Sequence, residues 1–212
     1  MDNIRRIRSA GLGAGMLAAT VLAGVLVHDV IPPADAWLVD HAFAAPGSRL
    51  AAVATAIGGV GTLLCLGALT AGAVAAAVVR RRAGRGAGYV ARVLVTVPLA
   101  ASVLLLQGLF LRPGPPQQPQ AGTYPSGHVA VVTAIAFAAV LLYRELGQGW
   151  HRVALGGALT AVTLVAGSRI VLAEHWLLDA AGAVAGALGI GLLAAAVLRL
   201  GPATQVPVRS AG

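Results

Sequence analysis

The sequence predicts an all-α, polytopic membrane protein that crosses the bilayer six times as a single domain over residues 1–212. Apolar residues make up 58% of the 212 residues and charged residues only 10%, and a soluble domain carries far more charge than this. The apolar residues are gathered in six runs, most of them close to the roughly 20 residues that one helix needs to cross a bilayer. Arginines cluster in the short segments between the runs.

The runs predict one membrane-spanning helix each. They lie at about 10–27, 50–79, 90–111, 129–143, 153–171 and 176–198. Pro98 lies inside the third run and predicts a kink there, because proline removes a backbone hydrogen bond. We expect the fourth helix to start at Gly127 or His128, with Ser126 as its cap, since Pro125-Ser126 is a helix-start pattern.

The segments between the runs are predicted to be loops, with one exception. Residues 34–43 read as a short helix at the membrane interface. Residues 112–125 contain five prolines and are expected to form an ordered loop. Residues 199–212 read as a polar tail.

The arginines predict the orientation in the membrane. Arginine accounts for all fifteen basic residues, and twelve fall on one side of the predicted bundle: Arg5, Arg6, Arg8, Arg80, Arg81, Arg82, Arg85, Arg92, Arg144, Arg152, Arg199 and Arg209. Only Arg49, Arg112 and Arg169 fall on the other side. Because the arginine-rich side faces the cytoplasm, both termini are expected to be cytoplasmic in the plasma membrane.

Two other interpretations of the charge and the N-terminus are less favoured. A net charge of +8 is also found in nucleic-acid-binding proteins, but arginines spread over short loops are a topological pattern, so no nucleic-acid partner is expected. Ala42-Phe43-Ala44 resembles a signal-peptide cleavage site, but His28, Asp29 and two prolines separate it from the first run. We therefore expect that run to be retained as a span.

The polar residues within this apolar chain mark a candidate site. His175 and Asp179 are four residues apart at the start of the sixth helix, so they are expected to share one helix face. A carboxylate one turn away can hold one imidazole nitrogen, leave the other free to attack, and stabilise the cationic ring that forms. A buried polar pair that only fixes helix packing is the alternative.

A second cluster, Ser126-Gly127-His128, opens the fourth helix. The free backbone N–H groups of a helix N-terminus attract an anion, Gly127 lets an oxyanion approach the backbone closely, and His128 can act as a general acid. An ordinary Pro-Ser-Gly turn with an interfacial histidine is the alternative. Both clusters map to the extracytoplasmic ends of their helices, which allows them to share one site.

Arginines accompany both clusters on this side. The guanidinium group suits phosphate oxygens. Arg112 follows the third run, where it could instead be an interfacial anchor. Ser168-Arg169 lies in an apolar stretch, where an unpaired charge is costly, so Arg169 is the stronger candidate for an anion ligand.

These residues resemble the type 2 phosphatidic acid phosphatase superfamily over about residues 50–198. The family pattern is Lys-x6-Arg-Pro, then Pro-Ser-Gly-His, then Ser-Arg-x5-His-x3-Asp. The second part is intact at 125–128 and the third at 168–179. The first part keeps Arg112-Pro113 but has Leu105 where the lysine is expected.

The resemblance implies a helical bundle of the family type and a role for each site residue. His175 would be the nucleophile, Asp179 would orient it, and His128 would protonate the leaving oxygen. The phosphoryl-binding residues would be Arg112, Ser126, Gly127, Arg169 and Ser168. The resemblance implies no metal and no other cofactor.

The expected function is therefore that of a lipid phosphatase with an extracytoplasmic site and a phosphohistidine intermediate. The expected substrates are a polyprenyl pyrophosphate or phosphate, phosphatidylglycerol phosphate or phosphatidate, with a bacterial cell-envelope role favoured by analogy. Loss of the lysine at Leu105 removes one phosphate-binding cation, and Gln107, Gln117, Gln118, Gln120 or Arg49 could substitute. A non-hydrolytic protein that binds or moves a lipid phosphate, and a phosphotransferase to an acceptor other than water, are the alternatives.

Overall fold

The computed structural model describes residues 2–86 and 88–200. The predicted polar tail therefore lies, from residue 201 onward, outside the described residues. Eight α-helices and two 3-10 segments follow one another in this part of the chain: α1 Asp2–Val27, α2 Pro33–Ala42, α3 Arg49–Arg82, α4 Gly88–Ala101, the 3-10 segment Ser102–Leu106, α5 Gln107–Phe110, α6 Gly127–Tyr143, the 3-10 segment Arg144–Leu146, α7 Gln148–Val171 and α8 Leu177–Val197.

Six helical segments are long and apolar enough to cross a membrane, which confirms the predicted number of spans. They are Asn3–Val27, Arg49–Arg82, Gly88–Phe110, Gly127–Leu146, Gln148–Val171 and Leu177–Val197. The short helix predicted at 34–43 is α2. The described residues contain no strand, so the protein is an all-α, multi-pass membrane protein.

The third span changes its helix type along its length. Pro98 lies inside α4, and the chain tightens into the 3-10 segment at Ser102, four residues later. Pro98 cannot donate a backbone hydrogen bond, so the ladder is already interrupted before that point. A 3-10 segment has three residues per turn instead of 3.6, which changes the faces on which the following side chains lie.

Helix α6 forms the centre of the bundle. It packs against α3, α4, α7 and α8, and its buried residues occur on every face. A helix that is apolar all round is suited to such a position. Large exposed apolar side chains are instead found on outer helices such as α1, α3 and α7, where they can contact lipid.

Helix α8 is held between α6 and α1. A Cβ added to Gly13 of α1 would lie 2.7 Å from the carbonyl oxygen of Gly189 on α8. The two backbones therefore touch at this crossing, which is how small residues allow close helix packing in membranes. This contact helps to fix α8, whose N-terminal end carries Asp179.

Several polar segments meet at one end of the bundle. The loop 112–126 leads into the N-terminus of α6, and the turn 172–176 joins α7 to α8. Helix α2 packs against α7 and α8 at the same end, where the amide of Ala44 donates to the carbonyl of Val171 at 2.9 Å. Residues distant in the sequence are thereby brought to one place.

Candidate active site

The turn between α7 and α8 brings Arg169 next to His175. The carbonyl of Arg169 accepts hydrogen bonds from the amides of Glu174 (3.0 Å) and His175 (3.4 Å). Ala173 has a φ of 48°, the left-handed conformation that commonly ends a helix. Because α8 begins at Leu177 with Trp176 as its N-cap, His175 precedes the helix. The prediction that His175 lies at the start of this helix and shares a face with Asp179 is therefore wrong.

His175 and Asp179 are close, although they do not share a helix face. Nδ1 of His175 lies 3.6 Å from Oδ2 of Asp179, slightly longer than a hydrogen bond. The same carboxylate oxygen accepts the amide of Trp176 at 3.1 Å. Both side chains are buried, and Nδ1 of His175 has no hydrogen-bond partner among the described residues. A small movement of the ring would complete the pair.

Arg112 is held by two buried carboxylates. One terminal nitrogen, Nη1, lies 2.6 Å from Oδ1 of Asp179, and Nη2 lies 2.7 Å from Oδ2 of Asp35. The residue is only 1% exposed, and its Nε has no partner among the described residues. The structure thus joins Arg112 to the predicted nucleophile pair and does not present its terminal nitrogens to solvent.

Asp35 is a site residue that the sequence did not single out. It lies on α2, is 1% exposed, and its second oxygen accepts the amide of Leu178 at 3.2 Å. It therefore binds Arg112 and also satisfies a free N–H group at the start of α8. Nothing in the local sequence distinguishes Asp35 from Asp29 or Asp40, so no local signal could have found it.

Arg169 also forms an ion pair, but with a carboxylate that is partly exposed to solvent. Its Nη1 lies 2.6 Å from Oε2 of Glu174, whose side chain is 33% exposed. Its Nε donates to Oγ of Ser168 at 3.3 Å, and that hydroxyl donates to the carbonyl of Val165 at 2.8 Å. On the other side, Gly58 of α3 leaves the space for the guanidinium group, because a Cβ there would collide with Nη2.

The N-terminus of α6 adds backbone donors and an unpaired hydroxyl. The amide of Ser126 donates to the carbonyl of Asp179 at 3.0 Å, which ties the second motif to the third. Ser126 occupies the predicted cap position, but its side chain makes no capping hydrogen bond. Its Oγ is buried without a partner among the described residues. Gly127 is half-buried and His128 is exposed.

The residue that approaches this helix start from the first motif is Gln107, not residue 105. Nε2 of Gln107 donates to the carbonyl of Pro125 at 2.8 Å and lies 3.7 Å from the point where a Gly127 Cβ would be. Leu105 lies in the 3-10 segment and is 79% exposed. Of the polar residues considered as substitutes for the lysine, Gln107 is thus placed beside Gly127.

Hydrogen bonds hold the loop 112–126 against the end of the bundle. The indole N–H of Trp176 donates to the carbonyl of Pro113 at 3.0 Å, and the Tyr124 hydroxyl donates to the carbonyl of Thr20 at 2.6 Å. Burial, together with the charge of Asp179, raises the pKa of Tyr124 to about 12. The phenol therefore keeps its proton at neutral pH and remains a hydrogen-bond donor.

Residues 108–202 match the family model of the PAP2 superfamily. The match covers a little under half of the chain and is consistent with a member of this superfamily. The name denotes the type 2 phosphatidic acid phosphatases that the motifs resemble. The comparisons with curated proteins and with solved structures found no significant match.

The PAP2 match includes part of the site described above. It contains Arg112, the Pro-Ser-Gly-His segment and the Ser-Arg-x5-His-x3-Asp segment, and it leaves out Asp35, Gly58 and Gln107. The candidate site therefore also includes residues of α2, α3 and α5, which lie outside or at the edge of the matched region. Among residues 2–86 and 88–200, no group of three or more His, Cys, Asp or Glu residues is arranged to hold a metal ion.

Proposed function

We propose that the protein is an integral-membrane lipid phosphatase that acts through a phosphohistidine at His175. The observation that carries this proposal is the placement of His175 against Asp179 and beside Arg169, at the end of a membrane bundle. The buried Oγ of Ser126, which has no partner among the described residues, adds to it. Buried polar atoms normally have partners, so such exceptions are common where a ligand binds.

In the proposed reaction, Nε2 of His175 attacks the terminal phosphorus while its bond to the leaving oxygen breaks. That oxygen belongs to the lipid alcohol in a phosphomonoester and to the inner phosphate in a pyrophosphate. His128 donates a proton to that leaving oxygen. Water, deprotonated by His128, then attacks the phosphorus, and the P–N bond breaks to release inorganic phosphate and neutral His175. Asp179 stabilises the imidazole while it is cationic. The substrate consists of a lipid with a phosphomonoester or pyrophosphate group.

The phosphoryl oxygens would be held by Arg169, the Ser126 hydroxyl and the backbone N–H groups at Gly127 and beyond. A helix N-terminus and a guanidinium group both favour a phosphate dianion. Ser168 supports Arg169 through its hydrogen bond to Nε. This leaves fewer cations at the site than the full family pattern supplies, since Leu105 replaces the lysine.

A lipid substrate is favoured by the apolar surface that leads away from the site. An apolar groove of about 730 Å³ runs between α3 and α7 over α6. Its wall includes Ile57, the neighbour of Gly58, and it extends towards Trp150 near the other end of α7. A headgroup bound at Arg169 could thus keep its chain in the bilayer. The arginine distribution supports an extracytoplasmic site in the plasma membrane.

Phosphate release from purified protein tests the proposal. The protein in lipid nanodiscs should release phosphate from at least one polyprenyl pyrophosphate, phosphatidylglycerol phosphate or phosphatidate, in the presence of a metal chelator. His175→Ala should abolish release, whereas His41→Ala should not, because His41 lies exposed on α2. Release that persists in His175→Ala would disprove the nucleophile assignment.

A non-hydrolytic lipid-phosphate-binding protein is the second candidate. Two observations favour it: Leu105 replaces the lysine, and both site arginines are already paired with carboxylates. Wild-type protein that binds the lipid phosphates in the same nanodiscs but releases no phosphate, and forms no acid-labile phosphohistidine, would support this function over hydrolysis.

A further inference from the structure

We propose that Asp35 is a positioning residue for the His175–Asp179 pair, and that it acts on Asp179 through Arg112. This inference rests on the proposed function for its kinetic test. It assigns a role to Asp35, which lies outside the region that matches the superfamily.

The geometry supports a fixed bridge between two carboxylates. Nη1 and Nη2 of Arg112 each bind a different carboxylate, at 2.6 Å to Asp179 and 2.7 Å to Asp35. The carbonyl of Val30 accepts a further, longer bond from Nη2 at 3.4 Å. Because the guanidinium group is planar and rigid, holding two of its nitrogens fixes its orientation. Asp35 thereby fixes the nitrogen that reaches Asp179.

The bridge determines which oxygen Asp179 presents to His175. Arg112 binds Oδ1 of Asp179, while Oδ2 accepts the amide of Trp176 and faces the imidazole at 3.6 Å. With both oxygens held, the carboxylate cannot rotate freely. Asp35 also binds the amide of Leu178, so the first turn of α8 and the Asp179 side chain are held by the same residue.

The balance of charge gives Asp35 a second role. Arg112 alone would neutralise Asp179 and weaken its support of a cationic imidazole. With Asp35 present, two carboxylates share one guanidinium group, which leaves one negative charge in excess beside His175. A negative charge at this distance stabilises the positive charge that develops on the imidazole as it attacks the phosphorus. The phosphohistidine and the transition state leading to it should therefore be stabilised by Asp35.

The bridge keeps both carboxylates paired. The side chains of Asp35 and Asp179 are 0% exposed, and removing the partner of a buried charge is strongly unfavourable. We therefore expect the bridge to persist when substrate binds, with the Nε–H of Arg112, which has no partner among the described residues, left available.

The first test compares Asp35→Asn with Asp40→Asn, an exposed carboxylate on the same helix. The asparagine keeps the oxygen that accepts the Leu178 amide and removes the charge. We expect kcat to fall at least about tenfold with KM nearly unchanged, a smaller loss than the about 10⁴-fold seen when the carboxylate partner of a catalytic histidine is itself replaced. An unchanged kcat in Asp35→Asn overturns the proposal.

A double-mutant cycle separates positioning from substrate binding. Arg112→Gln should lower kcat, and the Asp35→Asn/Arg112→Gln protein should be no worse than Arg112→Gln alone, since the two residues act as one unit. If the two losses multiply, or if Arg112→Gln leaves kcat unchanged, Asp35 does not act through Arg112 and the inference is wrong.

Two further measurements cover the remaining outcomes. If Asp35→Asn does not fold, Arg112→Lys tests the inference instead, because lysine keeps the charge but cannot bridge both carboxylates. A fall in kcat supports the inference, and a rise in KM alone overturns it.

If wild-type protein and Asp40→Asn are both inactive, the proposed function fails. Histidine NMR then tests the inference, with the His175 signals assigned by their loss in His175→Ala. The Nδ1–H tautomer of His175 should lose population in Asp35→Asn but not in Asp40→Asn. Equal spectra for these two variants would contradict the inference.

Discussion

Arg112 and Arg169 lie at the same end of the bundle, and both form ion pairs, yet their surroundings differ. Arg112 binds two carboxylates that are fully buried, one of them from a helix outside the motifs. Arg169 binds one carboxylate, Glu174, that is one-third exposed, and its other side contacts a glycine. Both carboxylates of the first network are buried, whereas the second network contains a partly exposed carboxylate that an incoming anion can replace.

This difference shows that a motif arginine is not identified as a phosphate ligand by its sequence alone. A buried guanidinium group between two carboxylates stabilises the structure around it, and exchanging those partners for a substrate is costly. A guanidinium group whose only carboxylate partner reaches solvent can make the exchange at little cost, because water solvates the displaced group. We therefore expect substrate binding to depend on Arg169 first.

The largest effect in this comparison should come from Arg169→Gln. Removing the guanidinium group takes away the one motif cation that is open to exchange, and loss of a single transition-state donor costs about 10²–10³ in kcat. The measurement is phosphate release on the lipid that wild-type protein prefers. Arg152→Gln, at an exposed arginine of the same helix α7, serves as the control. Activity within a few-fold of wild type in Arg169→Gln would show that substrate binding does not depend first on Arg169.

A smaller loss should follow from Gly58→Ala. A methyl group at residue 58 would collide with Nη2 of Arg169, whereas at Gly59 it would meet nothing within 4 Å. We expect Gly58→Ala to displace the guanidinium group and to lower kcat/KM by about tenfold, as a displacement of about 1 Å at a reacting site can cost more than this. Gly59→Ala should match wild type in the same assay. Equal rates for the two variants would show that Arg169 can move without loss.

Glu174→Gln should act in the opposite direction and more weakly. If the phosphoryl group replaces Glu174 on Arg169, removing the competing charge should lower KM by about threefold, in line with an exposed ion pair worth at most about 1 kcal/mol. Vanadate should inhibit at a correspondingly lower concentration. Weaker binding of both substrate and vanadate would instead mean that Glu174 orients Arg169 for the substrate.

The helices were predictable from the sequence, and their ends were less so. Hydropathy located the six spans, but α1 begins at Asp2 and α7 at Gln148, ahead of the predicted starts at 10 and 153. A helix continues into polar flanks because its backbone hydrogen bonds do not depend on side-chain polarity. Hydropathy therefore finds the apolar part of a helix and misses its polar extension.

The site was predictable where its residues are close in sequence. His175 and Asp179 are near each other because only four positions separate them, although a helix cap and not a shared face brings them together. Asp35 and Gly58 were not predictable, since each acts on an arginine that is distant along the chain. Asp35 and Arg112 are 77 positions apart, and only helix packing, which the motifs do not encode, brings such residues together.

The smallest effect is expected at the position where the family lysine is missing. Leu105 is 79% exposed, because the 3-10 segment turns it away from the site while Gln107 reaches the carbonyl of Pro125. A lysine introduced by Leu105→Lys would therefore point away from the phosphoryl group, and we expect phosphate release within about twofold of wild type, as for a surface substitution. Phosphate release in nanodiscs provides the measurement, and thermal stability in the same nanodiscs provides the control for folding. A rise of tenfold or more would mean that the side chain at residue 105 reaches the site. The missing cation, more than the buried ion pairs of Arg112, would then limit the activity.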